Sequence, residues 1–285
     1  MSNFKQNDRS RNPLGESVEY VNQYKPSLLY GISRKEKRQE LGIGAKLPFH
    51  GVDMWNAYEL GWLNDKGLPQ VAIGEFYIPA NSLNIIESKS FKLYLNSLNQ
   101  TRFKDAQSLS ETLQEDLSKI VGCGLKILIR DVDCESEFGC FEGECIDHQD
   151  IEINQYDYQP SLLKLETSKA KGSENKEDII EEKLFSHLLK SNCLITNQPD
   201  WGSVFIQYKG NKICHEALLK YLISFRSHNE FHEQCVERIF IDIQQYCQPE
   251  ELTVYARYTR RGGLDINPWR SNTNKMMDNS RLVRQ

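Results

Sequence analysis

The sequence lacks the long apolar runs and the charge excess that mark membrane and nucleic-acid-binding proteins. No segment approaches the roughly 20 apolar residues that cross a bilayer, and the stretch from Met1 to Ser10 has no apolar core of the kind that a signal peptide needs. The net charge of −5 gives no overall attraction to nucleic acid or to an anionic membrane. We therefore expect a cytoplasmic protein that binds neither.

Cofactor motifs built on glycines or on paired cysteines are also missing. Without a Gly-x-Gly-x-x-Gly or Walker loop, the chain cannot hold a nucleotide in the Rossmann manner. The eight cysteines are expected to be reduced in the cytoplasm. Cys134, Cys140, Cys145 and His148 could offer ligands to zinc, but no close Cys-x-x-Cys pair occurs and acidic residues surround them. We expect no metal, with a structural zinc site as the alternative.

What is present is typical of a globular protein of two domains. With 285 residues, of which 39% are hydrophobic and 26% charged, each half can bury its own core. Residues 1–45 are polar and broken by proline and glycine, which favours a surface arm. Residues 166–182 have the composition of a solvated linker. We place the first domain at 1–160, with the linker starting at 132–160, and the second at 161–285.

The same order of predicted elements occurs in both halves of the chain. Each half has a strand, two helices and a second strand, at 71–78, 88–98, 109–121 and 125–131, and again at 203–208, 216–225, 231–246 and 252–258. Phe91–Ser97 aligns with Leu218–Ser224 at a constant offset of 127 positions. This pattern indicates a duplicated α+β module with two helices inserted between antiparallel strands. Two further helices are predicted at 54–63 and 178–190.

A turn-rich loop from Ser191 to Gly202 carries a cysteine and an aspartate. Cys193 opens the loop, and Asp200 lies seven residues on, just before a predicted strand. A thiol and a carboxyl group in such a loop can act as a nucleophile and a proton donor. The alternative is that Cys193 is a small buried core residue.

Two further stretches offer binding residues. His232-Glu233 starts the second long helix, where Glu233 either complements the helix dipole or accepts the two N–H donors on one edge of a guanine-like ring. Residues 257–285 carry seven Arg and Lys against two Asp. This segment is a solvated tail, an RNA-binding tail suggested by Arg261-Gly262-Gly263, or a phosphate site centred on Arg260-Arg261-Gly262-Gly263.

Together with Glu87-Ser88-Lys89-Ser90-Phe91-Lys92-Leu93-Tyr94, these stretches resemble a known family, the NADPH-dependent 7-cyano-7-deazaguanine reductases. These are the nitrile reductases of queuosine biosynthesis, a pathway of tRNA modification. The resemblance covers four motifs in order, from about Leu47 onwards. It implies two tandem tunnelling-fold modules with antiparallel sheets and helix pairs on one face. The first module would carry the Glu-Ser-Lys motif and the second the Cys and His-Glu motifs.

The resemblance also implies a role for each motif. Cys193 would attack the nitrile carbon and form a covalent thioimide, and Asp200 would donate a proton to the nitrogen. The substrate would be held by Glu87, Ser88, Lys89, His232 and Glu233. NADPH, used twice per turnover, would be held by Lys89, Ser90, Arg260, Arg261 and Gly262.

Two expectations concern metal and assembly. A zinc-dependent cyclohydrolase of the same fold is the alternative enzyme, and it differs from the reductase in its need for a bound metal. Tunnelling-fold sheets close by association, so we expect a homodimer.

Overall fold

The computed structural model describes residues 21–134, 138–166 and 179–285. The elements of the first half are β1 (Gly31–Ser33), α1 (Lys35–Glu40), β2 (His50–Leu63), β3 (Pro69–Pro79), β4 (Asn84–Ile86), α2 (Ser88–Ser97), α3 (Ala106–Val121) and β5 (Lys126–Arg130). Those of the second half are β6 (Glu144–Cys145), β7 (Ile180–Asn192), β8 (Pro199–Gly210), α4 (His215–Ile223), α5 (His232–Cys247), β9 (Glu251–Tyr258) and β10 (Leu264–Ser271). Among the described helices, none is long and apolar enough to cross a membrane.

One eight-stranded sheet runs through both halves, in the order β5-β3-β2-β10-β9-β8-β7-β6. All neighbouring pairs are antiparallel except β6 and β7. The halves join where β10 pairs with β2, from Leu264 opposite Ala57 to Ser271 opposite His50. The duplicated α+β architecture is therefore confirmed. The division of the chain between residues 160 and 161 stays a prediction.

The four long helices cover one face of this sheet. In the first half, α2 and α3 pack on β2 and β3 around residues such as Trp55, Phe76 and Leu113. In the second half, α4 and α5 pack on β7 to β9 around residues such as Val204 and Ile239. Each helix buries one apolar stripe, and this burial is the main source of its stability.

Two helix predictions are wrong, because residues 54–63 lie in β2 and residues 180–190 lie in β7. In β2, Met54, Trp55 and Ala57 are all buried, since both faces of the sheet are covered there. In both strands a bulge interrupts the alternation of side chains between the two faces of the sheet. It lies between Ala57 and Leu60 in β2 and between Ser186 and Leu189 in β7. Both effects hide the period of two that identifies a strand.

The described residues before 45 do more than lie over the surface, because Leu29 and Ile43 are buried in the cores of the first and second halves. Tyr24-Lys25-Pro26-Ser27-Leu28-Leu29 recurs as Tyr158-Gln159-Pro160-Ser161-Leu162-Leu163. Each copy forms a 3-10 helix, at Pro26–Leu28 and Pro160–Leu162, and buries its last leucine in the core of its own half. This repeat was readable in the sequence and marks where each repeated unit begins.

The repeated segments make the same hydrogen bonds in the two modules. In the first module, the hydroxyls of Tyr24 and Tyr94 both donate to Asp116 Oδ2, at 2.7 and 2.8 Å. In the second, the hydroxyls of Tyr158 and Tyr221 donate to Asp242 Oδ2, at 2.8 and 2.5 Å. We call these the two Tyr-Asp-Tyr clusters. They show that the duplication extends to single side chains.

The interpretation of residues 257–285 as a solvated tail is also wrong. Its first part forms the end of β9 and all of β10, and its last part lies along the sheet face opposite the helices. There the Asn279 side-chain amide donates to Asn56 Oδ1 at 2.8 Å, and that of Gln285 donates to Asn267 Oδ1 at 2.8 Å. The basic residues of this segment are therefore mostly part of the fold.

Candidate active site

Cys193 begins a short loop between β7 and β8. Its carbonyl accepts from the backbone N–H of Asn197 at 3.0 Å, and its own N–H donates to the carbonyl of Gln198 at 2.8 Å. Asn197 adopts a left-handed conformation with φ of 55°, which asparagine tolerates better than most residues. The loop is thus tightly closed, and it leaves the Cys193 side chain only 8% exposed.

The surroundings of Cys193 favour the thiolate. Burial alone would raise the pKa of the thiol. Hydrogen bonds from the Thr196 hydroxyl and from the backbone of Thr196 and Ile195, with the positive charge of Arg261, hold the pKa below its ordinary value. The sequence left this activation unexplained, because it depends on backbone N–H groups that the loop conformation directs at the sulfur.

Asp200 stands at the start of β8, opposite Ser191 of β7, and is 7% exposed. Its carboxylate lies close to two basic side chains, those of Arg261 and His232. Arg261 Nη1 lies 3.0 Å from Asp200 Oδ1, and His232 Nε2 lies 3.3 Å from Asp200 Oδ2. The fold therefore brings together Cys193, Asp200, His232 and Arg261, which the sequence spreads over 69 positions.

Glu233 is buried in the first turn of α5, with 2% of its surface exposed. Burial, reinforced by the negative charge of Asp53, raises the pKa of its carboxyl group to about 8, and the guanidinium groups of Arg34 and Arg270 only partly offset this. A solvated acid at a helix end would not be buried in this way. A carboxyl group kept out of water is suited to a ligand that brings its own N–H donors.

Glu87 brings the first module to the same site. It is the N-cap of α2, where its carboxylate accepts from the backbone N–H of Lys89 at 3.0 Å and of Ser90 at 2.7 Å. Burial raises the pKa of this carboxyl group, and the charges of Lys89 and Arg261 oppose the rise. Because Arg261 also acts on Cys193, the side chains of both modules converge around this arginine.

The other residues of the Glu-Ser-Lys motif differ in exposure. The Ser90 hydroxyl is fully buried, donates to the carbonyl of Glu87 at 2.7 Å and accepts from the N–H of Tyr30 at 3.1 Å. Ser88 and Lys89 are half-buried at the start of α2. The Ser90 hydroxyl therefore stabilises the conformation of the motif, whereas Ser88 and Lys89 are accessible to a ligand.

The segment Arg260-Arg261-Gly262-Gly263 is the turn between β9 and β10. Gly262 and Gly263 have φ of 63° and 78°, and the N–H of Arg261 donates to the carbonyl of Leu264 at 2.9 Å, as in a two-residue hairpin with a type I′ turn. The Arg260 guanidinium lies 4.7 Å from the centre of the Tyr58 ring. No described atom lies within 4 Å of where a side chain at Gly262 would begin, so the turn is open to a ligand.

Behind Glu233, a buried ionic cluster joins the N-terminal segment to both modules. Arg34 pairs with Asp53, Arg270 Nη1 lies 2.8 Å from Asp53 Oδ1, and Arg270 Nη2 lies 2.8 Å from Glu237 Oε1. Arg38 also binds Glu237, at 2.7 Å. Sequence reasoning missed all five residues, because they stand singly in unrelated stretches. No local signal could have grouped them.

The cysteine-rich loop offers no metal site in the described part of the chain. No group of three or more His, Cys, Asp or Glu side chains there is arranged to hold an ion. Cys134 and Cys140 are exposed. Residues 135–137 of this loop lie outside the described residues.

Comparison with known families agrees with the positions of these motifs. Residues 20–129 match the family model described as nitrile reductase, 7-cyano-7-deazaguanine-reductase N-term, and residues 199–277 match that of QueF-like protein. Among solved structures, the chain is similar to the archaeosine synthase QueF-Like in the apo form, at 17% identity over 35% of this chain and 100% of that one. The TM-score of 0.30 is too low for that likeness to carry an argument.

The first family model spans the Glu-Ser-Lys motif, and the second spans Asp200, the His-Glu motif and the Arg-Arg-Gly-Gly turn. Their tandem order matches the duplicated module of the fold. The chain therefore belongs to the QueF-type 7-cyano-7-deazaguanine reductases, the nitrile reductases of queuosine biosynthesis, in the long form with two tunnelling-fold modules.

Proposed function

We propose that this protein reduces the nitrile of 7-cyano-7-deazaguanine to the aminomethyl group through a thioimide on Cys193, using two NADPH. The observation that supports this most directly is that His232 and Arg261 both lie against the buried Asp200 carboxylate, while the charge of Arg261 also acts on the Cys193 thiol and on Glu87 of the other module. The lowered pKa of the Cys193 thiol supports its use as the nucleophile.

In the first step the Cys193 sulfur donates an electron pair to the nitrile carbon. A carbon–sulfur bond forms, one carbon–nitrogen π bond breaks, and the nitrogen takes up a proton. We assign delivery of that proton to Asp200, whose carboxyl group is buried close to the cysteine loop with Oδ2 3.3 Å from His232 Nε2. Holding the carbon on sulfur keeps it in one position for reduction.

Recognition of the deazaguanine falls to Glu233 with His232, and to the start of α2 from Glu87 to Lys89. A carboxylate can accept both N–H donors on one edge of the ring, and Glu233 is buried where water does not compete. A ring that lacks those donors would leave the buried Glu233 oxygens unpaired, which costs about 1–3 kcal/mol for each group. This cost selects against rings that lack the same donors.

The residues at the β9–β10 turn and the start of α2 suit the phosphorylated nucleotide. Arg261 is 41% exposed at its side chain, Gly262 is open, and Lys89 is near enough to Arg261 for both to act on Glu87. Arg260, held over Tyr58, is our candidate for the additional phosphate of NADPH. NADPH supplies the hydrides, and a nitrile needs two of them to become an aminomethyl group.

The sequence left two alternatives to this function, an RNA-binding tail and a zinc-dependent cyclohydrolase. The triplet Arg261-Gly262-Gly263 closes a hairpin, so the RNA-binding interpretation of the tail loses its main support. A zinc-dependent cyclohydrolase remains distinguishable by metal analysis. We further propose that the protein is a cytoplasmic homodimer, since tunnelling-fold sheets close by association.

The proposal is tested by mixing the protein with 7-cyano-7-deazaguanine in the absence of NADPH. Intact-protein mass spectrometry should show a gain of one substrate molecule, and NADPH should then discharge it, because addition to the nitrile needs no reductant. Cys193→Ala should show neither adduct nor turnover, and Asp200→Asn should slow both. Cys247→Ala, which removes a buried thiol outside the site, should behave like the unaltered protein. Appreciable reduction by Cys193→Ala would disprove the covalent route.

A further inference from the structure

The imidazole of His232 lies in the site at the start of α5. Its side chain is 12% exposed, and neither ring nitrogen has a hydrogen-bond partner among the described residues. The 3.3 Å approach of Nε2 to Asp200 Oδ2 is an ion-pair distance that lacks hydrogen-bond alignment. The start of α5 fixes the backbone of His232 but leaves its side-chain torsions free. Another group must therefore hold the ring.

That group is the aromatic ring of Tyr258 in β9. The centres of the two rings are 3.9 Å apart, and their planes differ by 15°, so the imidazole lies flat on the phenol ring. Tyr258 is itself fully buried, its N–H donates to Asn267 Oδ1 at 3.2 Å, and its carbonyl accepts from Gln285 Nε2 at 2.9 Å. The supporting ring is thus fixed on a central strand.

On the side of the Tyr258 ring away from His232 lies Gly202, whose lack of a side chain leaves room for the ring. Gly202 of β8 pairs directly with Tyr258 of β9. A Cβ atom at this glycine would lie 3.1 Å from Tyr258 Cδ1 and 3.2 Å from Cε1. Any larger residue would push the phenol ring by a few tenths of an ångström. The ring therefore lies between the backbone of Gly202 and the imidazole of His232.

We propose that Tyr258 is a positioning residue for His232. In this proposal, the lack of a side chain at Gly202 lets the tyrosine ring lie where it supports the imidazole. The inference rests on the proposed function, in which Asp200 donates a proton and His232 stands beside it. A displacement of about 1 Å in a catalytic group can cost about 100-fold in rate. The stack would keep the imidazole against the Asp200 carboxylate through both reductions.

The stack is tested with Tyr258→Leu and Tyr258→Phe. Leucine removes the flat ring, and we expect kcat to fall by about 10- to 100-fold while KM for NADPH changes by less than about threefold. Phenylalanine keeps the ring, so kcat should stay within about threefold of the unaltered protein. Tyr208→Leu is the matched control, because it truncates a buried tyrosine in the core of the same module. It should lower Tm without lowering kcat in proportion.

Gly202→Ala provides a second test if Tyr258→Leu does not fold. The added methyl group should lower kcat by about 3- to 10-fold, whereas Gly124→Ala, at a site open to solvent, should not. A wild-type kcat in Tyr258→Leu, or equal losses in the Leu and Phe variants, would overturn the inference. Failure of the covalent mechanism itself would appear separately, as turnover by Cys193→Ala.

Discussion

The two modules have the same scaffold but begin their helices differently. In the first module, α2 and α3 both start with a side-chain cap, from Glu87 and Asp105, and the Asp105 cap is a reciprocal capping box with Ser108. In the second module, the residues preceding α4 and α5, Cys214 and Phe231, make no side-chain cap. The uncapped start of α5 is where His232 and Glu233 stand.

The two modules share the contacts that hold their helices together but differ at the helix starts. The Tyr-Asp-Tyr clusters hold each helix pair together, so they are kept in both copies. The first module uses Glu87 both to cap α2 and to face the site, whereas the second gives up a cap, which is usually worth about 1 kcal/mol. The free helix start can then serve a ligand.

The largest effect is expected from separating the modules. Fragments 1–155 and 156–285 should each be inactive in NADPH oxidation with 7-cyano-7-deazaguanine, because Glu87 and Cys193 belong to different fragments. Separation also breaks the β2–β10 pairing and divides the buried ionic cluster. Activity from 156–285 alone would show that the second module is self-sufficient. Recovery of activity on co-expression of both fragments would show that the site forms when the two modules associate.

Glu237→Ala should destabilise the protein by about 3–5 kcal/mol, because it leaves the Arg38 guanidinium without a carboxylate and the buried Arg270 with Asp53 alone. The free energy of unfolding in urea measures this loss. Glu115→Ala is the control, since it removes a carboxylate from an exposed pair with Lys119, and such pairs contribute little. Equal losses in the two variants would mean that the buried ionic cluster contributes no more to stability than an exposed ion pair.

Asp116→Asn and Asp242→Asn should each cost about 1–3 kcal/mol, because each replaces a buried carboxylate that accepts two tyrosine hydroxyls. Thermal or urea unfolding gives both values under the same conditions. We expect them to agree within about 1 kcal/mol, since the contacts are the same. A larger disagreement would show that the two clusters, although alike in geometry, do not contribute equally.

Glu233 should make substrate binding depend on pH. With a pKa of about 8, its carboxyl group goes from about one-tenth ionised at pH 7 to nine-tenths at pH 9, so substrate affinity should tighten by about tenfold. Calorimetry in the Cys193→Ala background avoids the covalent step. Glu233→Gln should remove the dependence on pH. If substrate affinity did not depend on pH in the protein that keeps Glu233, this residue would have only a structural role.

The same shift has a stability consequence with a definite sign. A carboxyl group whose pKa is higher in the folded state stabilises the fold at low pH, and this contribution is lost as the pH rises from 4.5 to about 8. Asp105, at the corresponding helix start of the first module, has a lowered pKa because of its hydrogen bonds with Ser108. Its contribution has the opposite sign and is lost on acidification.

Most of the repeated pattern and the site motifs could be predicted from the sequence. The strands of β3, β5 and β9 and the four long helices follow from local periodicity, which needs no tertiary information. Cys193, Asp200, Glu233 and Arg261 stand in short motifs, which is why the sequence offers them as candidate site residues. The repeat of Tyr-x-Pro-Ser-Leu-Leu was equally readable but was missed, and with it the packing of the N-terminal segment.

The relative positions of those residues and their surroundings could not be predicted, because they depend on tertiary contacts. Strands β2 and β7 were misread because burial on both faces and a bulge erase the period of two. The buried ionic cluster, the stack of His232 on Tyr258 and the lowered pKa of Cys193 arise from residues distant in the chain or from the direction of backbone N–H groups. Such contacts exist only after the chain has folded, so no local pattern contains them.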